Sequence, residues 1–324
     1  MPRLAWLTGL LLLALLPPAW GNALMRVTDS TGAWIAPQSY LDLLASAEAW
    51  ISEAVPLVAG DPARPGYHFT GAARSIGDPN GPIQFGGASH LFYQHHGGPD
   101  LPFIACWGHA VSEDLIHWKR LPLALAPTPG TYDDPVIASG YTVFDGEAPT
   151  IIYTAAEPQT QALARSFDGG LTWFKFEGNP VIPNRPPVAN LRADFRDPFV
   201  WKEGGLWRMV VGSAIEGEGG TALRYESLNL VDWTFTGFFP PELGPDCIAW
   251  ECPNFYPLTT PEGEEYWILV ISPLFQSHPG LRGYTRYTVG KWDGVTFEHG
   301  EWRPMELSAD EFFYAPNSLV DDRG

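Results

Sequence analysis

The chain has 324 residues, 45% of them hydrophobic, and its 19 Lys and Arg face 37 Asp and Glu for a formal charge of -18 at pH 7. That much apolar sequence buries a sizeable core, which excludes a disordered chain and leaves one large or two smaller folded units. The negative charge repels phosphate backbones and anionic lipid, so neither nucleic acid nor a membrane is an expected partner.

In chain order, residues 1–23 read as a signal peptide. Arg3 precedes an apolar run over 4–16, followed by Pro17, Pro18 and small residues around 21–23, and the run is short for a bilayer span. Secretion is the expected localisation, with no membrane partner after cleavage. Residues 24–65 read as an N-terminal extension with one amphipathic helix over 39–54, where Leu43, Ala47, Trp50 and Ile51 recur at helical spacing behind a Ser39 cap. From residue 66 to 324 short alternating apolar runs such as "HLFYQHH", "TIIYTAA" and "YWILVISP" are punctuated by Gly, Pro, Asn and Asp, the pattern of many antiparallel strands.

A phrase recurs inside this region. Ser112 to Trp118, Ser166 to Trp173 and Ser227 to Trp233 each run from a Ser through an acidic or amide turn to a Trp, and the Ser residues lie 54 and 61 positions apart. A weaker fourth copy lies in "GKWDGVTFEHGEW". Intervals of that size suit one four-stranded blade per repeat, so the expected class is all-β, a β-propeller behind a short helical segment, with a β-sandwich as competitor. The 14 Trp, 12 Tyr and 18 Phe serve mostly as core, but also offer flat faces to neutral sugar rings. Only Cys106, Cys247 and Cys252 are present, an odd count that leaves at least one thiol unpaired, and their spacing is not of the metal-binding type, so no metal site is expected from them.

A propeller can aim side chains from distant positions into one axial funnel. Three acidic residues beside Pro or Cys are candidates: Asp78 in "SIGDPNGPIQF", Asp197 in "FRDPFV" and Glu251 in "AWECPNF". Taken alone, Asp78 belongs to a β-turn made by Pro79, Asn80 and Gly81. Together, on separate blades, the three suit glycoside hydrolysis, in which one carboxylate attacks and a protonated carboxyl assists the leaving oxygen, about 5 to 5.5 Å apart in a retaining enzyme. Glu251 has Trp250, Cys252 and Pro253 as chain neighbours and suits the acid. Asp197 has Arg196 beside it and is expected to stay ionised.

These residues also carry a family likeness. "YHFTGAARSIGDPNGPIQF", "HLFYQ", "CWGHAVSEDLIHW", "FRDPFVW", "WRMVVGS" and "WECPNFYPL" resemble the successive motifs of glycoside hydrolase family 32, the invertase, inulinase and levanase group, in order, from about residue 65 onward. The resemblance implies a five-bladed propeller that cleaves β-fructofuranosidic bonds of sucrose or fructans with retention and without a cofactor. It makes Asp78 the nucleophile, Asp197 the transition-state stabiliser and Glu251 the acid/base. It also places Arg196, Gln94, Trp107 and Ser139 at the sugar. The chain departs from the pattern at Ser75 and Gly77, where Trp and Asn are usual, at Ala138 in place of Phe, around Pro102 and Phe103, where a Trp is missing, and at Asn254 in place of Asp. The resemblance further implies an incomplete last blade and an absent C-terminal β-sandwich, as in a fragment. A fructosyltransferase and an inactive carbohydrate-binding propeller stay open as alternatives.

Overall fold

A computed structural model of the protein describes residues 24–65, 69–102, 105–277, 285–305 and 313–319. The signal segment expected over 1–23, and Phe103, lie outside the described residues. Strands β1 (Leu24–Asp29) and β2 (Gly32–Pro37) form a hairpin, and helix α1 (Gln38–Val58) follows. A first sheet holds β3 (Ile76–Phe85), β4 (Ala88–His95), β5 (Cys106–Ser112) and β6 (Lys119–Leu125), and a second holds β7 (Val136–Phe144), β8 (Pro149–Ala156), β9 (Thr160–Ser166) and β10 (Trp173–Phe176). A third comprises β11 (Arg196–Glu203), β12 (Leu206–Ile215), β13 (Gly219–Ser227) and β14 (Thr234–Phe238). The fourth comprises β15 (Cys247–Thr259), β16 (Glu265–Phe275), β17 (Arg286–Trp292) and β18 (Phe297–His299), with β19 (Arg303–Pro304) on β17.

Each sheet is an antiparallel meander, and the first strands of the sheets face one another: β3 packs on β7, β7 on β11 and β11 on β15. This is the propeller that the repeat predicts. The expectation of five blades is corrected: the described residues form four sheets. Beyond β18, β19 pairs back onto β17, and residues 313–319 run without strand pairing from β15 and β16 towards β7.

The Ser-to-Trp phrase has a local cause. In each of the first three sheets it is the turn between the third and fourth strands. Asp114 Oδ1 accepts the amides of Ile116 and His117, Asp168 Oδ1 those of Leu171 and Thr172, and Asn229 Oδ1 those of Val231 and Asp232. The Trp indole then donates across the turn, to the carbonyl oxygens of Leu115, Gly170 and Leu230 respectively. The repeat marks blades because the same hydrogen-bonded turn closes each of these meanders.

The N-terminal residues do more than the single expected helix. Strand β2 pairs with β10, so the hairpin extends the second sheet to six strands. Arg165, buried in β9, pairs with both Asp29 of β1 and Asp145. Helix α1 begins behind Pro37 with no side-chain cap rather than behind Ser39, and buries Tyr40, Ala47, Ile51 and Ala54. The Tyr40 hydroxyl donates to the carbonyl oxygens of Ala124 (3.2 Å) and Trp173 (3.3 Å), and Glu48 accepts from Arg120 and the Leu123 amide, so the helix straddles the first two sheets. All three cysteines are buried and free.

Candidate active site

The segment read as a β-turn is in fact strand. Asp78, Pro79, Asn80 and Gly81 lie within β3, which tolerates them because its register with β4 shifts between Ile76 and Pro79 and again between Asn80 and Ile83. Gly81, at φ 33°, is obligatory: a Cβ there would lie 2.3 Å from the Thr142 amide nitrogen of β7. The other first strands repeat the device. Register shifts fall between Ile137 and Gly140 in β7, between Arg196 and Phe199 in β11, and between Glu251 and Asn254 in β15. Asp78, Ser139, Asp197 and Glu251 therefore each sit at or in an irregularity of an axial strand, where the ladder is broken and a side chain can be re-aimed. The Pro after Asp78, Asp197 and Cys252 is the sequence mark of this, since Pro cannot donate to a regular central ladder.

Three of the sheets meet at Cys252. Its backbone N–H donates to Asp197 Oδ2 at 3.0 Å, and its Sγ lies 3.6 Å from the same oxygen. Burial pushes the Cys252 thiol well above its usual range, and the carboxylates of Asp197, Asp78 and Glu251 push it further, so all three acids lie within electrostatic reach of one sulfur. Asp197 is buried, adopts φ 63°, and donates its own N–H to Thr154 Oγ1 at 3.0 Å.

The immediate partners of Glu251 and Asp197 are not those that their chain neighbours suggest. Arg196 Nε and Nη2 donate to Glu251 Oε1 at 3.0 and 2.9 Å, and Nη1 donates to Asp194 Oδ1 at 2.5 Å. Tyr314 Oη donates to Glu251 Oε2. Glu251 thus has a guanidinium partner that its chain neighbours do not reveal. Asp197 is pushed up to about 6, by burial first, with Arg196 opposing and Glu251 reinforcing the rise. Asp197, at φ 63° within the register shift of β11, is re-aimed relative to a regular strand, and the Arg196 guanidinium makes its hydrogen bonds to Glu251 and Asp194 while still acting on Asp197 through space. The Arg196 guanidinium itself is held protonated, since Glu251, Asp197 and Asp194 outweigh the cost of its burial.

Behind Asp78 stands a polar scaffold. Gln94 Oε1 accepts the Asp78 amide at 3.2 Å while its Nε2 donates to Ser139 Oγ at 2.8 Å. Asn80, fully buried and read from the sequence only as a turn residue, donates from its amide nitrogen to Ser139 Oγ at 3.2 Å in the orientation its neighbours require. Trp107 is 0% exposed, and its indole donates to the Ala138 carbonyl oxygen at 2.9 Å. The expectation of a sugar-facing Trp107 is therefore corrected: a ring closed off on every side packs behind the wall. Gln94 and Ser139 are also buried, so they brace β3 against β7 beneath Asp78.

Asn80, Thr154 and Tyr314, which nothing in the sequence pattern assigns to the site, complete it together with Asn254, where the chain departs from the family motif. Asn254 donates to the carbonyl oxygens of Cys252 (3.0 Å) and Pro316 (3.1 Å) and accepts from Ser318 N (2.9 Å) and Oγ (2.8 Å). An amide donates and accepts at once, which the Asp usual at this position could not do when ionised. Among the described residues no three metal-ligating side chains form a group that could hold an ion. What the arrangement offers is three carboxyl groups, one of them bound by a guanidinium and a phenol.

The family model described as glycosyl hydrolases family 32 N-terminal domain matches residues 68–324. The chain is 36% identical over 283 residues to a levanase of Bacillus subtilis (strain 168), covering 80% of this chain and 39% of that protein. It is 34% identical over 281 residues to a sucrose-6-phosphate hydrolase of Escherichia coli, covering 80% and 55% respectively. Its fold is similar to that of a GH32 β-fructofuranosidase of Bombyx mori, with TM-score 0.69 and 29% identity over 82% of this chain and 57% of that one. The chain spans about half the length of the curated relatives it matches.

Proposed function

Because this chain belongs to glycosyl hydrolase family 32, we propose that it hydrolyses β-fructofuranosidic bonds in sucrose or fructans with retention at the anomeric carbon. The observation that supports this reading is that Asp78, Asp197 and Glu251, carried by the axial strands of three sheets, all act electrostatically on Cys252, whose amide is bonded to Asp197. In the first step an Asp78 oxygen attacks the anomeric carbon and forms a fructosyl ester. The glycosidic C–O bond breaks, its electron pair stays with the leaving oxygen, and that oxygen takes the Glu251 proton. In the second step Glu251 takes a proton from water, the water oxygen bonds to the anomeric carbon, and Asp78 leaves as carboxylate. Asp197 binds fructosyl hydroxyls and stabilises the positive charge that develops on the ring in both steps. Arg196, fastened to Glu251 and Asp194, orients the acid. Secretion belongs to the same proposal, supported by Arg3 and the apolar run over 4–16.

The test is to incubate the protein with sucrose, inulin and levan and to follow free fructose and longer oligosaccharides, with Asp78→Ala and Glu251→Ala in parallel. Fructose release that falls by at least about 10³-fold in both variants is the expected result. Longer products from the parent would turn the reading to transfer, and sugar binding without any product would turn it to a lectin-like propeller.

A further inference from the structure

The two oxygens of Glu251 have different partners. Oε1 takes both Nε and Nη2 of Arg196, whereas Oε2 takes the Tyr314 hydroxyl. A guanidinium can only donate, so the oxygen facing it is suited to remain the unprotonated one, and Oε2 is the oxygen left to carry a proton. A phenol differs from a guanidinium in one respect that matters here. It donates to a carboxylate, and it can turn its hydroxyl and accept from a carboxylic acid, so one contact serves both halves of an acid/base cycle.

Tyr314 is itself held in place. The Ala315 amide donates to Ser272 Oγ at 2.8 Å, Asn254 bridges Pro316 and Ser318, and the Tyr141 hydroxyl donates to the Ser318 carbonyl oxygen at 2.8 Å. Residues 313–319 are in effect a strap from β15 and β16 to β7. Because Asn254 also bonds the Cys252 carbonyl oxygen, the strap is tied to the residue next to Glu251. The other charged or titratable groups around this carboxyl are Arg196, Asp194 and Asp197 from β11 and the residues before it, Cys252 on β15 and Asp78 on β3.

We propose that Tyr314 is a positioning residue that aims Oε2 of Glu251 at the leaving oxygen. The proposal rests on the fructosidase reading above. Its consequence is selective: loss of the phenol hydroxyl weakens proton delivery and leaves nucleophilic attack intact.

The experiment compares kcat/KM, which reports formation of the fructosyl-enzyme, on sucrose and on β-fructofuranosyl fluoride. Fluoride leaves with little help from an acid, so it isolates the attack by Asp78. The parent should use both, Asp78→Ala neither, and Glu251→Ala only the fluoride. Tyr314→Phe is expected to lose about tenfold on sucrose and less than about twofold on the fluoride, with an unchanged melting temperature. Asn254→Asp, which removes the donors to Pro316 and Cys252 but keeps the side-chain shape, should show the same split at about threefold. Equal losses on both substrates in the two variants, or no loss on either, overturn the positioning role while the fructosidase reading stands. A parent inert on both substrates overturns the fructosidase reading and this inference with it.

Discussion

Asp133 with Lys175, and Asp197 with Glu251 and Arg196, are two buried ionic clusters in one protein, yet they are built to different rules. Lys175 Nζ, on β10, donates to Asp133 Oδ2 (2.5 Å), Thr128 Oγ1 (2.7 Å) and the Ala126 carbonyl oxygen (2.8 Å). Asp133 in turn accepts from Thr128 N and Tyr153 Oη, both at 2.9 Å. One cation meets one anion, and the polar atoms between them are bonded. Burial pulls the Lys175 amine below its usual range, with Asp133 opposing. At the axis, Asp197 shares its surroundings with Glu251 and Asp78, and Arg196 bonds to Glu251 rather than spreading over all three. Arg196 and the Cys252 amide compensate Asp197 only in part, so burial holds its carboxyl up at about 6. A neutral, saturated cluster serves the fold, while a crowded anionic one is ready to meet a developing positive charge.

The same substitution in the two clusters should therefore have opposite effects. Asp133→Asn strands Lys175 in the interior and is expected to cost about 3–5 kcal/mol in urea unfolding. A loss below about 1 kcal/mol would mean that the clusters do not differ as described. Asp197→Asn removes an anion that the fold disfavours. The folded-state value near 6 lies above that of an unfolded Asp, so the penalty is absent below about pH 4, grows between about pH 4 and 6, and is complete above. The variant, whose amide oxygen can still accept the Cys252 amide, should match the parent at pH 4 and exceed it by about 2–3 kcal/mol at pH 8. Equal stability at both pH values would remove the contrast. The smallest effect belongs to a site outside both clusters: Asn229→Ala, which frees the Val231 and Asp232 amides at an exposed turn, should cost about 1 kcal/mol at any pH between 5 and 8.

Much of the fold was legible because its signal is local. The Ser-to-Trp phrase marks blades through hydrogen bonds that span at most a few residues, and α1 follows from its apolar spacing. The hairpin β1–β2 was not legible, since it becomes part of a sheet only by pairing with β10, more than a hundred residues away. Four sheets stand where the family resemblance implied five, and residues 313–319 pass over the site as a strap. At the site itself, Asp78, Asp197 and Glu251 could be picked out as acidic residues, each with a Pro or Cys beside it. Tyr314 and Asn80 carried no such mark, because a Tyr in an unpatterned stretch and an Asn before Gly have ordinary local explanations.

The sequence alone determined which residue types were available, where the meanders turn, and which acidic residues stand beside Pro or Cys, all properties of neighbours along the chain. Only the tertiary structure decided which carboxyl receives the guanidinium. Arg196 lies next to Asp197 in sequence but reaches across to hydrogen-bond Glu251 in space, because β11 breaks its ladder at these residues and separate blades converge on a common axis.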